Sequence, residues 1–537
     1  MARPLPKSVH ELFAATAERF GNRPFLHVLS ETARIYGIEP GEIVYANAVG
    51  RVDRLRAAYA QAGYGPGHRV ALLLENRPTF VLHFLALNAL GASIVPVNPD
   101  LRSAELEYLT EHSEVVLAVA IPERANDLRA ARDGLAVVGP DDAPPPAPFA
   151  ARDEAIGPRT EAAILYTSGT TGRPKGCILD NAYFLQCARW YREMGGVCAL
   201  REGEERMVNP LPLFHMNALA CSLMGMIATG GALSVPDRFH PRSWWDAVRE
   251  ARATCIHYLG VMPPMLMNQP ASPSDREHDV RFGFGAGVPP ALHAPFEERF
   301  GFPLAEAWAM TETGAGGVIT AHREPRPVGT ASFGRAEAKN GEGVEARVVL
   351  EDGSEAAPGE PGELLVRRAG ADPRAGFFAG YLKNEEATAE AWEGGWLHTG
   401  DVVSRDADGN LTFVDRRKNV IRRSGENIAA AEVEAAIREH ALVEEVAVTP
   451  VPDAVRGDEV FASIVAREND EASARAIFDH VMERLAYYKA PGYIAFVDAL
   501  PVTATNKVQR QELKDLATAE LEAGRAFDFT ASKKRRP

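Results

Sequence analysis

Between Arg69 and Ala120 the chain alternates short apolar runs with helical stretches, and few architectures accommodate that alternation. "RVALLLENR" (Arg69 to Arg77) reads as a buried strand, "FVLHFLALNAL" as a helix stopped by Gly91, and "SIVPV" as a second strand. "SAELEYLTEH" follows as a helix with Ser103 at its N-cap and Glu105 and Glu107 in its first turn, where carboxylates suit the positive helix end. "VVLAVA" is the next strand. Strands apolar on both faces need helices on both sides, so the pattern predicts layered α/β architecture with a largely parallel sheet.

The chain has 537 residues, beyond the size at which one core stops growing, so at least one further domain is expected. The pattern changes after about residue 340. "EARVVL", "GELLVRR" and "LTFVD" read as strands joined by turns at Asp352-Gly353 and Asp408-Gly409. "AAAEVEAAIREH" is then a helix with Val433, Ala436 and Ile437 facing inward, and "EEVAVTPV" a strand. This places a large N-terminal domain over residues 1–416 and a small α+β domain over 417–537, with the basic end "KKRRP" as a solvated tail.

Composition excludes several functions. A net charge of −15 argues against nucleic acid as a partner, because phosphate backbones require basic surfaces. The five cysteines (Cys177, Cys187, Cys198, Cys221 and Cys255) form no C-x-x-C and point to reduced thiols in a cytoplasmic protein. "MARPLPKSVHELFAATAERF" lacks the apolar core of a signal peptide and reads as an amphipathic helix around Leu12 and Phe13. Met216 to Val235 carries no charge, but Gly230-Gly231 divides it into a buried helix and a buried strand, neither long enough to cross a membrane.

The chemistry concentrates in "YTSGTTGRPKG" (Tyr166 to Gly176), directly after the strand "AAILY". It is not the standard nucleotide loop, since Pro174 precedes Lys175 and Gly176 follows it. A plain Ser/Thr/Gly surface loop is the bland alternative. Its position favours phosphate binding: α/β ligands sit at the carboxyl ends of strands. Gly169 and Gly172 let the backbone curve around an anion, Thr167, Ser168, Thr170 and Thr171 offer hydroxyls, and Lys175 supplies charge. Behind the loop, Asp180 caps a helix whose Phe184, Cys187, Ala188 and Tyr191 share one apolar face. "GEGVEA" (Gly341 to Ala346) matches a dinucleotide fingerprint but precedes a strand, so it reads as a turn. No G-x-S-x-G, H-E-x-x-H or zinc spacing occurs.

Together with "LPLFHMNA", "AWAMTETG", "WLHTGD", "FVDRRKNVIRRSGENI" and "LPVTATNKVQR", the loop resembles, in order and over nearly the whole chain, the motifs of the adenylate-forming superfamily of acyl-CoA synthetases, adenylation domains and luciferases. The resemblance implies a large domain and a mobile lid. It implies two half-reactions: a carboxylate attacks ATP to give acyl-adenylate and pyrophosphate, then the coenzyme A thiol displaces AMP. A carboxylate is already ionised at neutral pH, so catalysis is positioning and charge stabilisation. The resemblance implies that the loop holds the β- and γ-phosphates and that Thr311 bonds the α-phosphate. Glu312 would bind Mg2+, Trp308 would stack on adenine, and Asp401 with Arg416 would bind the ribose. Lys507 would stabilise the adenylating transition state, and Lys418 would be the hinge. Ser424 and Gly425 would border the coenzyme A tunnel. Each of these residues alone has an ordinary structural reading; their joint order is what points to function.

His215, Gly285, Ala286, Gly287, Ala309, Met310 and Gly314 would line the acyl pocket, with the helix after Asp180 as a further wall. Where the family has Tyr-Gly the chain has Trp308-Ala309, and Asn506 replaces the glycine before the catalytic lysine. The bulk of Ala309 and Met310 favours a small or medium acyl group. Segments such as "FFAGYLKN", "GGWLHTGD" and "FVDRRKN" are similar to carnitine/crotonobetaine-CoA ligases, though they are mostly not pocket residues. Aryl and dicarboxylic acids, a carrier-protein thiol as acceptor, and a catalytically dead nucleotide-binding protein remain alternatives. The expected partners are a carboxylic acid, ATP and coenzyme A, with no nucleic acid and no membrane span; a homodimer is left open.

Overall fold

The computed structural model of the chain describes residues 5–167, 173–339, 341–416, 420–501 and 508–535. Ser168, Gly169, Thr170, Thr171, Gly172, Lys418, Asn506 and Lys507 lie outside the described residues, as does the side chain of Arg416.

Two layered sheets build the large domain. In one of eight strands, six parallel strands run between antiparallel edges at Gly41–Val44 and Ile319–Thr320. The other has seven strands, with a parallel set that includes Arg69–Leu73, Ser93–Pro96 and Leu117–Ala120. The helix Pro78–Asn88 is buried at every residue from Phe80 to Asn88, as a helix apolar all round must be. The capping residue of the helix Ser103–His112 is Arg102, one residue earlier than the sequence reading: its N–H donates to the Glu105 carboxylate at 2.8 Å. The helix Asn181–Glu193 starts where expected, with Asp180 accepting from the Tyr183 N–H at 2.9 Å and the Phe184, Cys187, Ala188 and Tyr191 face buried.

The uncharged stretch begins with a π-helical turn, Asn217–Ser222, which no sequence signal marked. It continues as the helix Leu223–Thr229, ends at Gly230 in the left-handed region (φ 68°), and resumes as the strand Ala232–Ser234. Among the described residues no helix is long and apolar enough to cross a membrane.

A five-stranded antiparallel sheet follows, and then the small domain, built on a mixed six-stranded sheet. Its helix Ala430–Arg438 buries Val433, Ala436 and Ile437 as its spacing predicts. The "KKRRP" tail corrects the sequence reading of a solvated end. The Lys533 side chain is fully buried against Glu459, and Arg535 Nε donates to Asp100 of the large domain at 2.5 Å.

Candidate active site

A cavity of about 900 Å³ lies between the two domains. Leu259, Ala286 and Trp308, the last residues of three adjacent parallel strands (Cys255–Leu259, Phe282–Ala286 and Leu304–Trp308), line it. This is the carboxyl edge of the sheet, where backbone pairing ends and the chain turns away to leave a crevice.

At one end Trp308 Nε1 donates to Asp401 Oδ2 at 2.8 Å, and both side chains are buried. Asp401 is held from behind, since its N–H donates to Thr399 Oγ1, which itself donates to the Leu364 carbonyl. The indole therefore fixes one oxygen of the carboxylate, a contact the sequence did not indicate. Arg416 pairs with Asp401 across the strands Leu397–Arg405 and Leu411–Arg416.

Glu312 is buried, and its Oε1 accepts from the Tyr381 hydroxyl at 2.8 Å. Burial, followed by the charge of Glu312, pushes the Tyr381 phenol above its ordinary pKa, so it remains a donor. The same ring lies 4.7 Å from Lys175 Nζ, close enough for a cation–π contact. Tyr381 arrives on the two-residue strand Gly380–Tyr381, paired with Lys175–Asp180, and Lys175 itself pairs with Thr167 at the base of the glycine-rich hairpin. One tyrosine thus joins the carboxylate and the lysine that the sequence had singled out separately. The Thr311 carbonyl accepts from the Tyr183 hydroxyl at 2.9 Å, and Thr311 faces the cavity.

On the remaining wall His215, Ala286, Ala309 and Met310 line the cavity, whereas Gly285, Gly287 and Gly314 do not. A side-chain carbon at Gly285 would meet the Tyr258 carbonyl, and one at Gly314 the Tyr183 ring, so these glycines permit close packing. Gly287 (φ 83°) belongs to a turn held by Glu306, whose carboxylate accepts from the N–H groups of Gly287 at 2.7 Å and Val288 at 3.1 Å. Burial raises the pKa of Glu306. The helix Asn181–Glu193 contributes no lining residue, because its apolar face packs into the core.

The small domain closes the cavity with Ser424 and Gly425, both at positive φ (51° and 92°), in a turn against Leu259. His215 Nε2 lies 3.4 Å from Glu426 Oε1 across the domain boundary. Nearby, Lys489 Nζ is buried between Glu105 of the large domain at 2.6 Å and Glu432 of its own at 2.7 Å. Burial alone would lower its pKa, but the two carboxylates outweigh burial and keep the ammonium charged. Val508 packs with Ala447, Leu500 and Leu513 in a small apolar cluster of the small domain.

A large layered α/β domain, a small domain closing over its carboxyl edge, and a cavity bordered by a glycine-rich hairpin define a nucleotide-dependent acid-activating enzyme. The chain belongs to the AMP-binding enzyme family, whose model matches residues 13–382, with the C-terminal domain model of the same family matching residues 432–507. It is an ATP-dependent acyl-CoA ligase of the AMP-forming type. The crotonobetaine/carnitine–CoA ligase of Salmonella paratyphi B is 31% identical over 493 residues, covering 88% of this chain and 92% of that one. The fold is similar to that of o-succinylbenzoate CoA synthetase from Bacillus subtilis (TM-score 0.80, 26% identity, 94% and 98% covered). It is also similar to a malonyl-CoA ligase complex with methylmalonyl-CoA and AMP (TM-score 0.72, 28% identity, 89% and 96% covered).

Tyr381, Asn217, His257 and Arg535 were not selected from the sequence. Tyr381 belongs to the quoted "FFAGYLKN", but nothing in that segment indicates that its hydroxyl meets a carboxylate 69 residues earlier.

Proposed function

We propose that the chain activates a small or medium carboxylic acid with ATP and transfers it to coenzyme A, with residues 1–416 holding ATP and acid and residues 417–537 acting as the lid. The observation that carries this reading is the meeting, in one cavity, of the Trp308–Asp401 pair, the Glu312–Tyr381–Lys175 cluster and the Ser424–Gly425 turn. Trp308 and Asp401 would receive the nucleoside, and Thr167, Thr311 and Lys175 the phosphates. Glu312, a buried carboxylate beside the phosphate hairpin, fits a hard cation held jointly with phosphate oxygens. Mg2+ bound there would offset negative charge.

The domain arrangement fits the thioester-forming step. Ser424 and Gly425 of the small domain face the cavity, where they would border the coenzyme A path. Adenylation would use Lys507, with the lid turning about Lys418 between the two steps. Five free, buried thiols favour a cytoplasmic location. The relatives' acids, carnitine, o-succinylbenzoate and malonate in kind, support a compact acid over a long alkyl chain.

The test is a panel of carboxylic acids with ATP and coenzyme A, read as AMP and thioester. Acids of about four to eight carbons are expected to exceed palmitate in kcat/KM. Lys507→Ala should slow adenylate formation by about 10²–10³-fold while sparing thioester formation from supplied acyl-adenylate. Adenylate without thioester would point to a carrier-protein acceptor, and no AMP with any acid would refute the ligase.

A further inference from the structure

The π-helical turn Asn217–Ser222 presents one polar side chain, Asn217, to the cavity, which Leu259, Val261 and Met262 also line. Behind it lies a buried network in the large domain. Asn217 Oδ1 is 2.7 Å from His257 Nδ1 and accepts from Asn209 Nδ2 at 2.9 Å. His257 Nε2 is 2.7 Å from the Tyr191 hydroxyl, and Asn209 Nδ2 also donates to Ser222 Oγ at 2.7 Å. His257, Tyr191, Asn209 and Ser222 are fully buried.

The network has one consistent assignment of protons. Asn209 Oδ1 accepts from the Leu211 N–H at 2.9 Å, so its amide nitrogen must face Asn217 and Ser222. Asn217 therefore turns its oxygen inward. Complete burial holds His257 neutral, with its pKa pushed down to about 3, so it carries a single N–H. That proton lies on Nδ1, where it is shared between Asn217 Oδ1 and Ser222 Oγ at 3.1 Å, because two acceptors at 2.7 Å would repel, and Tyr191 donates to Nε2. A flip of the Asn217 amide would break two hydrogen bonds inside the core. Its Nδ2 is thereby fixed as the outward group. This nitrogen has no partner among the described residues, and it is not among the buried atoms that lack one. Since Asn217 borders the cavity, the cavity is the space it faces.

The position excludes the nucleoside end. His257 stands on the strand Cys255–Leu259, separated from the Trp308 strand by Phe282–Ala286, so the two walls are about 10 Å apart. A donor held in one orientation at a cavity wall orients a ligand through one acceptor.

We propose that Asn217 is a specificity-determining residue. Its amide N–H donates to an acceptor oxygen on the chain of the acid, so the preferred substrates are oxygenated short acids rather than plain alkanoates of equal length. His257 is the positioning residue that holds the amide in this orientation. The proposal rests on the acyl-ligase reading above and narrows its substrate class.

The experiment compares kcat/KM for matched acids, levulinate against valerate and 3-hydroxybutyrate against butyrate, with AMP release as the readout on the full-length enzyme. The oxygenated acid is expected to lead by about 10- to 100-fold, since the alkanoate leaves the donor unpaired. Asn217→Asp keeps the shape and accepts from His257 and Asn209 as before but offers an acceptor to the ligand, so the ratio should collapse. Asn217→Leu should collapse it too. His257→Phe should lower the ratio by freeing the amide, whereas a merely structural role would lower both rates together and keep the ratio. Equal kcat/KM within both pairs, or an unchanged ratio in both Asn217 variants, overturns the proposal while the ligase stands. Absence of AMP with every acid overturns the ligase reading and the proposal with it.

Discussion

Glu306 and Lys489 are both buried acid or base side chains, yet they differ in where their partners come from. Glu306 is held by Tyr258, Gly287 and Val288, all of the large domain. Lys489 is shared between Glu105 of the large domain and Glu432 of the small one. The first arrangement survives any movement of the small domain relative to the large; the second cannot. Charges satisfied within one body belong to global stability, and charges satisfied across two bodies belong to the equilibrium between arrangements.

The largest expected effect comes from breaking the first kind. Glu306→Ala leaves two N–H groups without their acceptor and the Tyr258 hydroxyl with only the longer bond to the Ala305 carbonyl, so the unfolding free energy should fall by about 3 kcal/mol, read as a lower denaturant midpoint. Both half-reactions should fall with it.

His257 extends the same class to a group that titrates. As pH falls through 6.5 the unfolded chain takes up a proton that the native site refuses until about pH 3. Its contribution is therefore complete above pH 6.5 and lost progressively between 6.5 and 3, the loss reaching about 3 kcal/mol at pH 4. His83, also pushed down by burial, to about 4, acts in the same direction. Thermal melts from pH 7 to 4 should show the decline, and His257→Asn should make it shallower, leaving the part due to His83.

Glu105→Gln tests the second kind. Lys489 keeps Glu432, so the melting profile should change little, whereas the thioester step should slow by about tenfold as the observed arrangement loses population. Adenylation should be unaffected; equal loss in both steps would erase the distinction. Arg535→Ala removes a weaker cross-domain pair, 39% exposed at the arginine, and should slow thioester formation by only about twofold.

The alternation of strands and helices was legible because burial on both faces leaves few architectures. The carboxyl-edge position of the glycine-rich hairpin was legible for the same reason. Trp308, Thr311, Glu312 and Asp401 could be chosen because their motifs occur in order, and the structure brings them around one cavity. What escaped depends on tertiary partners. The inward face of Asn217 is decided by His257, 40 residues on, and a π-helical turn has no composition of its own. The glycines at 285 and 314 read as pocket space but serve packing, since a glycine signals close approach without saying to what. The tail read as solvated because its charge is high, and only the buried Glu459 and the distant Asp100 explain where Lys533 and Arg535 go.

That tail bears on how the protein should be handled. Lys533, Arg535 and Asp100 all line the cavity, so proteolytic trimming of the tail during preparation would strip part of its wall.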